Sequence, residues 1–170
     1  MFGRTGAIAF VAALSMPAGA SAQAPPSVTP LAGSAGCVTG DLPPAPDVTA
    51  IDCIKARALG TVSALRLSPD ERHVYATSFE GSVVTLTRAA DTGALAFAGC
   101  VSDSGDDGRV GTEGFCTDGD ALAGTSDLAL SADGRFAYVL GTFSNAVSWL
   151  ERDPVTGALT PRGCLKDTPR

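Results

Sequence analysis

The chain has 170 residues, 45% of them hydrophobic, enough apolar material for a packed globular core. Its 18 Asp+Glu against 12 Lys+Arg give a net charge of −6, which argues against nucleic acid or an anionic membrane as partner, since both are bound through clustered cations. One histidine must serve any catalytic triad; there is no G-x-S-x-G elbow, and the glycine-rich stretch GDDGRVGTEG (105–114) lacks the Lys-Ser/Thr ending of a phosphate loop.

In chain order, the first segment reads as a leader. Arg4, the apolar run AIAFVAALSM (7–16) and Ala20-Ser21-Ala22 before Gln23 have the order of a secretory signal peptide with an Ala-x-Ala cleavage site, and the apolar run is too short for an ordinary membrane span. Residues 1–22 are therefore expected to be removed on export to the periplasm or the exterior. Loss of Arg4 leaves 11 Lys+Arg and a net charge of −7. The proline-rich stretch that follows, residues 23–35 with APPSVTP at 24–30, has the composition of a disordered leader.

The rest of the chain repeats itself. GTVSALRLSPDERHVYAT (60–77) returns as GTSDLALSADGRFAYVL (124–140), so that Ser63, Ser68, Asp70, Arg72 and Tyr75 have counterparts 63 residues on at Ser126, Ser131, Asp133, Arg135 and Tyr138. After Thr77 one residue is inserted, and Val83, Gly93, Leu95 and Cys100 match Val147, Gly157, Leu159 and Cys164 at 64. Gly36-Cys37-Val38 precedes Gly99-Cys100-Val101 by 63. The organisation is thus a partial repeat (36–60), a full repeat (61–124) and a second, truncated one (125–170).

Each repeat carries strand signals only. VSALRL (62–67), HVYATS (73–78), SVVTLTR (82–88) and ALAFAGCV (94–101) are separated by the turns SPDE, FEGS and ADTG, and the second repeat has SADG, TFSN and DPVTG in the same places. Four short antiparallel strands per unit, without a helical period between them, predict β-propeller blades: an all-β chain of about two blades and part of a third, in an incomplete ring.

The strings LSPDERHVYAT, LSADGRFAYVL, DTGAL and VTGAL resemble the framework of bacterial lactonase-like (6-phosphogluconolactonase-like) β-propeller proteins. The Gly-Cys-Val-Ser-Asp copies resemble a secreted subset whose blades carry a cysteine-bracketed insert. The resemblance covers roughly residues 36 to 167 and implies the fold; the matched positions are turns and strand packing residues, so it brings no catalytic residue with it. The chain is then expected to be a fragment of a longer propeller, or a short reading frame that assembles with other copies.

Export gives the cysteines their meaning. Cys37 and Cys53, like Cys100 and Cys116, stand 16 residues apart, which predicts two disulfides in an oxidising compartment, each worth on the order of 3 kcal/mol in the chain-entropy model. The partner position of Cys164 lies beyond Arg170, so Cys164 is expected to be unpaired and open to intermolecular pairing. A zinc site has no Cys-x-x-Cys pair and only one histidine to draw on.

The residues that invite a functional role have plainer readings. His73, a candidate general base, has Phe136 as its counterpart and reads as a strand-edge residue; Tyr75 and Tyr138 share one blade position and read as core residues whose hydroxyls find backbone partners. Trp149 falls opposite Leu86 and is expected to pack between blades, with a ligand-stacking platform as the alternative. Val83, Leu86, Val147 and Trp149 are expected to stay partly uncovered in a two-blade piece, favouring self-association. The acidic loop at 101–120, with Asp103, Asp106, Asp107, Glu113, Asp118 and Asp120, reads as a solvated surface loop, with calcium ligation or a cationic partner as alternatives, though no EF-hand spacing is present.

The function expected is that of an exported propeller module with a non-catalytic binding or scaffold role. No catalytic, cofactor or metal residue is assigned, and other blades, a second copy, or a protein or small-molecule ligand are the expected partners. The alternatives are a lactonase-type hydrolase whose active site lies mostly outside this chain, and a fragment without independent function.

Overall fold

The computed structural model describes residues 36–40 and 53–167; the signal-peptide and leader segments and residues 41–52 of the partial repeat lie outside the described residues. Eleven strands follow one another among them, with no α-helix: β1 (Val38–Thr39), β2 (Ile54–Lys55), β3 (Val62–Leu67), β4 (His73–Ser78), β5 (Ser82–Arg88), β6 (Leu95–Ser102), β7 (Thr117–Asp118), β8 (Thr125–Leu130), β9 (Phe136–Gly141), β10 (Ala146–Arg152) and β11 (Leu159–Lys166). Strands β3 to β6 and β8 to β11 form two antiparallel meanders, which are the two blades.

Local chemistry explains the meander. At the first turn of each blade a serine and an aspartate satisfy the backbone: Ser68 donates to Asp70 at 2.6 Å and the His73 amide donates to the Ser68 hydroxyl at 3.0 Å, while Phe136 and Ser131 repeat the latter bond at 3.0 Å. At the last turn of the second blade Asp153 accepts the amides of Val155 and Thr156 at 2.7 and 3.0 Å. Irregularities recur with the repeat as well. The register slips between Val62 and Ala64 and again between Thr125 and Asp127, and between Thr85 and Leu86 and again between Trp149 and Leu150.

The cysteine-bracketed insert adds one element that the strand pattern did not announce. Cys100 and Cys116 are joined with their Cα atoms 4.8 Å apart, which brings the chain back along β6 so that Thr117 and Asp118 pair in parallel with Val101 and Ser102. Cys37 and Cys53 are joined at 5.0 Å, and β1 and β2 pair in parallel in the same manner, Val38 with Ile54 and Thr39 with Lys55. Two residues per strand is too little to announce a strand by alternation. Cys164 is half-buried with a free thiol.

Each blade has a leading face, toward the repeat before it, and a trailing face, toward the repeat after it. Between the blades, Tyr75, Val83 and Val101 on the trailing face of the first meet Leu128, Ala137, Val139, Leu150 and Leu159 on the leading face of the second, with Leu122 from the connection between them. A second cluster lies on the leading face of the first blade, where Ala56 and Leu59 pack with Val74, Ala76, Val84, Leu86 and the Cys100–Cys116 pair. Val83 and Leu86 are therefore fully covered, against expectation, whereas Val147 and Trp149 on the second blade are open.

Candidate functional site

Two places gather chemistry: a buried joint between the blades and a cleft beside the disulfide loop. The joint is built on Arg152, the last residue of β10, whose side chain is 2% exposed. Its Nη2 donates to Asp70 Oδ1 and Oδ2 at 2.9 and 2.7 Å, its Nε donates to the Tyr75 hydroxyl at 2.8 Å, and its Nη1 donates to the Gly134 carbonyl at 3.1 Å. Tyr75 in turn donates to the Gly157 carbonyl at 2.8 Å. A guanidinium can only donate, so the 2.8 Å contact of Nη2 with His73 Nδ1 fixes that nitrogen as an acceptor and leaves the ring neutral with its proton on Nε2.

The electrostatics agree with that assignment. Burial, reinforced by the Arg152 charge, pushes the His73 pKa down, and burial pushes the Tyr75 hydroxyl up. Burial also opposes the charges of Asp70 and Arg152, but hydrogen bonds from Ser68 and Arg152 outweigh it and hold Asp70 far below the usual carboxylate range, and Asp70 and Tyr75 hold Arg152 charged. Gly157 completes the enclosure. Its φ of +76° lies in the left-handed region, and a Cβ there would overlap the His73 ring.

The cleft, about 180 Å³, opens where residues 58–60, the turn between β4 and β5, and the disulfide loop meet. Glu80 forms one wall, accepting the Thr61 amide and hydroxyl at 2.8 Å each and a bond from Ser78; these overcome burial and lower its pKa. Opposite, Asp107 is ion-paired with Arg57 and bonded to Thr112, which likewise outweigh burial and depress its pKa. Arg57 also lies over the Phe115 ring, 3.4 Å from its centroid, tying the loop to the segment before β3.

The remaining loop carboxylates do not converge. Asp103 accepts the Leu122 amide at 2.6 Å, and Asp106 accepts the Gly108 amide at 2.7 Å. Among the described residues no group of three His, Cys, Asp or Glu side chains is placed to hold a metal ion.

Several single-residue expectations need correction. His73 opens β4 directly after the turn, at the strand edge as read, but it is no open position: it is 2% exposed and lies inside the joint. Trp149 stands at the repeat position of Thr85 rather than of Leu86, because the inserted residue shifts the frame, and it therefore points away from the joint, 38% exposed and packed over Gly163. Tyr75 is the core residue expected, with a carbonyl partner, but Tyr138 is 44% exposed, since no described element covers the trailing face of the second blade. Arg152 was not singled out from the sequence. The signal was available in Arg88 and Arg152, which are repeat equivalents.

No family model matches the chain, and no curated protein does. Among solved structures it is similar to the periplasmic gluconolactonase of Pseudomonas aeruginosa, at 22% identity over 62% of this chain and 25% of that one, with a TM-score of 0.49. It is also similar to a protein from Lactobacillus plantarum, at 23% identity over 64% and 27% with a TM-score of 0.48. A third is the β-propeller domain of Cps50 (Swd1) from Myceliophteria thermophila, at 13% identity over 62% and 29% with a TM-score of 0.42. The chain spans about a quarter of the length of the first two.

Proposed function

We propose that the chain is an exported β-propeller module with a non-catalytic binding or scaffold role. The observation that carries this reading is the blade joint: the sole histidine, the buried Arg152, Asp70 and Tyr75 are the residue types a hydrolase would employ, and they are consumed in holding one blade to the next. Among the described residues, every buried side-chain nitrogen and oxygen has a hydrogen-bond partner, so the polar interior is committed to structure. Export is supported by the two cysteine pairs at bonding distance, which persist in an oxidising compartment.

The cleft favours a broad partner over a small molecule. At about 180 Å³ it falls below the roughly 300 to 1,000 Å³ of pockets that enclose drug-sized ligands. The deciding experiment is a lactone-hydrolysis assay on the purified chain, chosen because lactonase is the activity that the sequence resemblance implies. Turnover at background, unchanged by His73→Ala, is the expected result; turnover above background that His73→Ala abolishes overturns the non-catalytic role.

A further inference from the structure

The trailing face of the second blade, which no described element covers, carries an aromatic platform. Trp149 pairs in register with Tyr138 on one side and Gly163 on the other, and the two aromatic side chains are open, 38% and 44% exposed. The indole lies flat on the sheet. A Cβ on Gly163 would stand 2.7 Å from Trp149 Cζ2, 2.9 Å from Cη2 and 3.3 Å from Cε2, and three consecutive ring atoms come that close only when the glycine lies under the face of the ring rather than at its edge. The opposite face of the indole is turned to solvent. The first blade has no such platform: Thr85 pairs with Gly99 in the same register, and Thr85 and Thr77 are buried in the joint where the second blade has Trp149 and Leu140. A sheet that closes over two threonines does not seat at the same distance over a tryptophan and a leucine, so this face is not a second copy of the joint.

Hydrogen-bonding groups rim the platform on one side. Two residues along β10, Glu151 lies in register between Phe136 and Thr160, and its Oε2 accepts from Arg162 Nε at 2.8 Å and Nη2 at 2.5 Å. This exposed pair keeps Glu151 Oε1 and Arg162 Nη1 for other partners. The Tyr138 hydroxyl has no hydrogen-bond partner among the described residues. Asp133 takes the Ser131 hydroxyl at 2.5 Å and the Arg135 amide at 3.1 Å on Oδ1, which leaves Oδ2 available. On the other side of the platform Leu140, Val147 and Leu165 form an exposed apolar row across three strands.

We propose that this face binds neutral glycans built of gluco-configured pyranose rings. With every substituent equatorial, such a ring presents axial C–H bonds on both faces, and their slight positive charge meets the negative face of an aromatic ring. Adjacent strands lie about 4.8 Å apart, so Tyr138 extends the platform beyond Trp149 by about one sugar ring. The hydroxyls at the edge of the sugar then exchange hydrogen bonds with Glu151, Arg162, Tyr138 and Asp133. Two of these four groups are carboxylates, which repel acidic sugars. The proposal deepens the binding reading above by naming the class of ligand and the face that takes it.

The test is calorimetric titration of the purified full chain with cellohexaose and chitohexaose, read in parallel by the emission of Trp149, the only tryptophan. Binding of either hexamer is expected, with a blue shift of that emission and protection from acrylamide quenching; these two signals need no variant and so do not depend on one that folds. Trp149→Ala should lower affinity at least roughly tenfold, and Gly163→Ala, which lifts the ring from the sheet, severalfold. A galactose hexamer, whose axial hydroxyl interrupts one C–H face, should bind more weakly, and polygalacturonate should not bind. Four results overturn the site: neither gluco-configured hexamer binds, binding survives Trp149→Ala undiminished, polygalacturonate binds equally well, or the emission shifts blue with protein concentration alone, which would put a second copy on this face. Each of them leaves the non-catalytic role standing. Lactone turnover by a chain that binds the hexamers through Trp149 would do the reverse.

Discussion

At the scale of single residues the joint is decided by one arginine. Removing it would strand a carboxylate and a phenol that have given up part of their water, and breaking a buried pair from one side costs about 3 to 5 kcal/mol. The Asp70 side chain is still 34% exposed, so the lower end applies, and Arg152→Ala is expected to lower stability by about 3 kcal/mol in thermal or denaturant melts. A loss under 1 kcal/mol would show that the network contributes little. The histidine gives a pH dependence of definite sign. Because the folded-state pKa of His73 is depressed, the unfolded chain takes up a proton that the folded chain refuses once the pH drops below about 6.5. Stability is highest above that value and falls as the pH is lowered toward the folded-state pKa, at no more than about 1.4 kcal/mol per pH unit. With a single histidine in the chain, His73→Phe, the residue the second blade carries at this position, should flatten the melting temperature between pH 7 and 5. An unchanged slope would exclude His73 as its source. None of this was legible in the residue's own neighbourhood, since the partner lies 79 positions away.

At the scale of elements, the repeats act as internal controls for each other. Gly93 and Gly157 close the same turn in the two blades with φ of +74° and +76°, yet the space beside Gly93 is open whereas Gly157 abuts His73. An alanine in the left-handed region costs roughly 1 to 2 kcal/mol at either place. Gly157→Ala should therefore exceed Gly93→Ala by at least about 1 kcal/mol, the excess being repulsion at the joint, and equal losses in parallel urea melts would refute the close approach. The meander strands were legible because each alternates or runs apolar between turn residues with defined hydrogen-bonding roles. The short parallel strands β2 and β7 were not, because a disulfide rather than a sequence pattern directs them. The frame of β10 was misread at Trp149, because the residue inserted in the turn before it moves the repeat offset from 63 to 64, and a one-residue shift exchanges the two faces of a strand.

At the scale of the whole molecule, the question is whether two blades amount to two folding units or one. The apolar cluster answers it, since Tyr75, Val83 and Val101 from one sheet share a single core with Leu128, Val139 and Leu150 from the other, and Arg152 crosses the same boundary. A sheet stripped of the neighbour it packs against loses the burial that offsets the entropy of ordering its strands, so neither blade is expected to persist when the other melts. Leu150→Ala should then lower the stability of both blades together, by about 2 to 5 kcal/mol as for a buried leucine. Two probes read this independently: far-ultraviolet circular dichroism reports all the strands, whereas Trp149 fluorescence reports the second blade alone. The expected outcome is coincident transitions, both displaced by Leu150→Ala to the same new midpoint. If fluorescence moved while most of the dichroism signal kept its original midpoint, the first blade would be folding by itself, and the trailing face of each blade would have to be regarded as a surface stable in water.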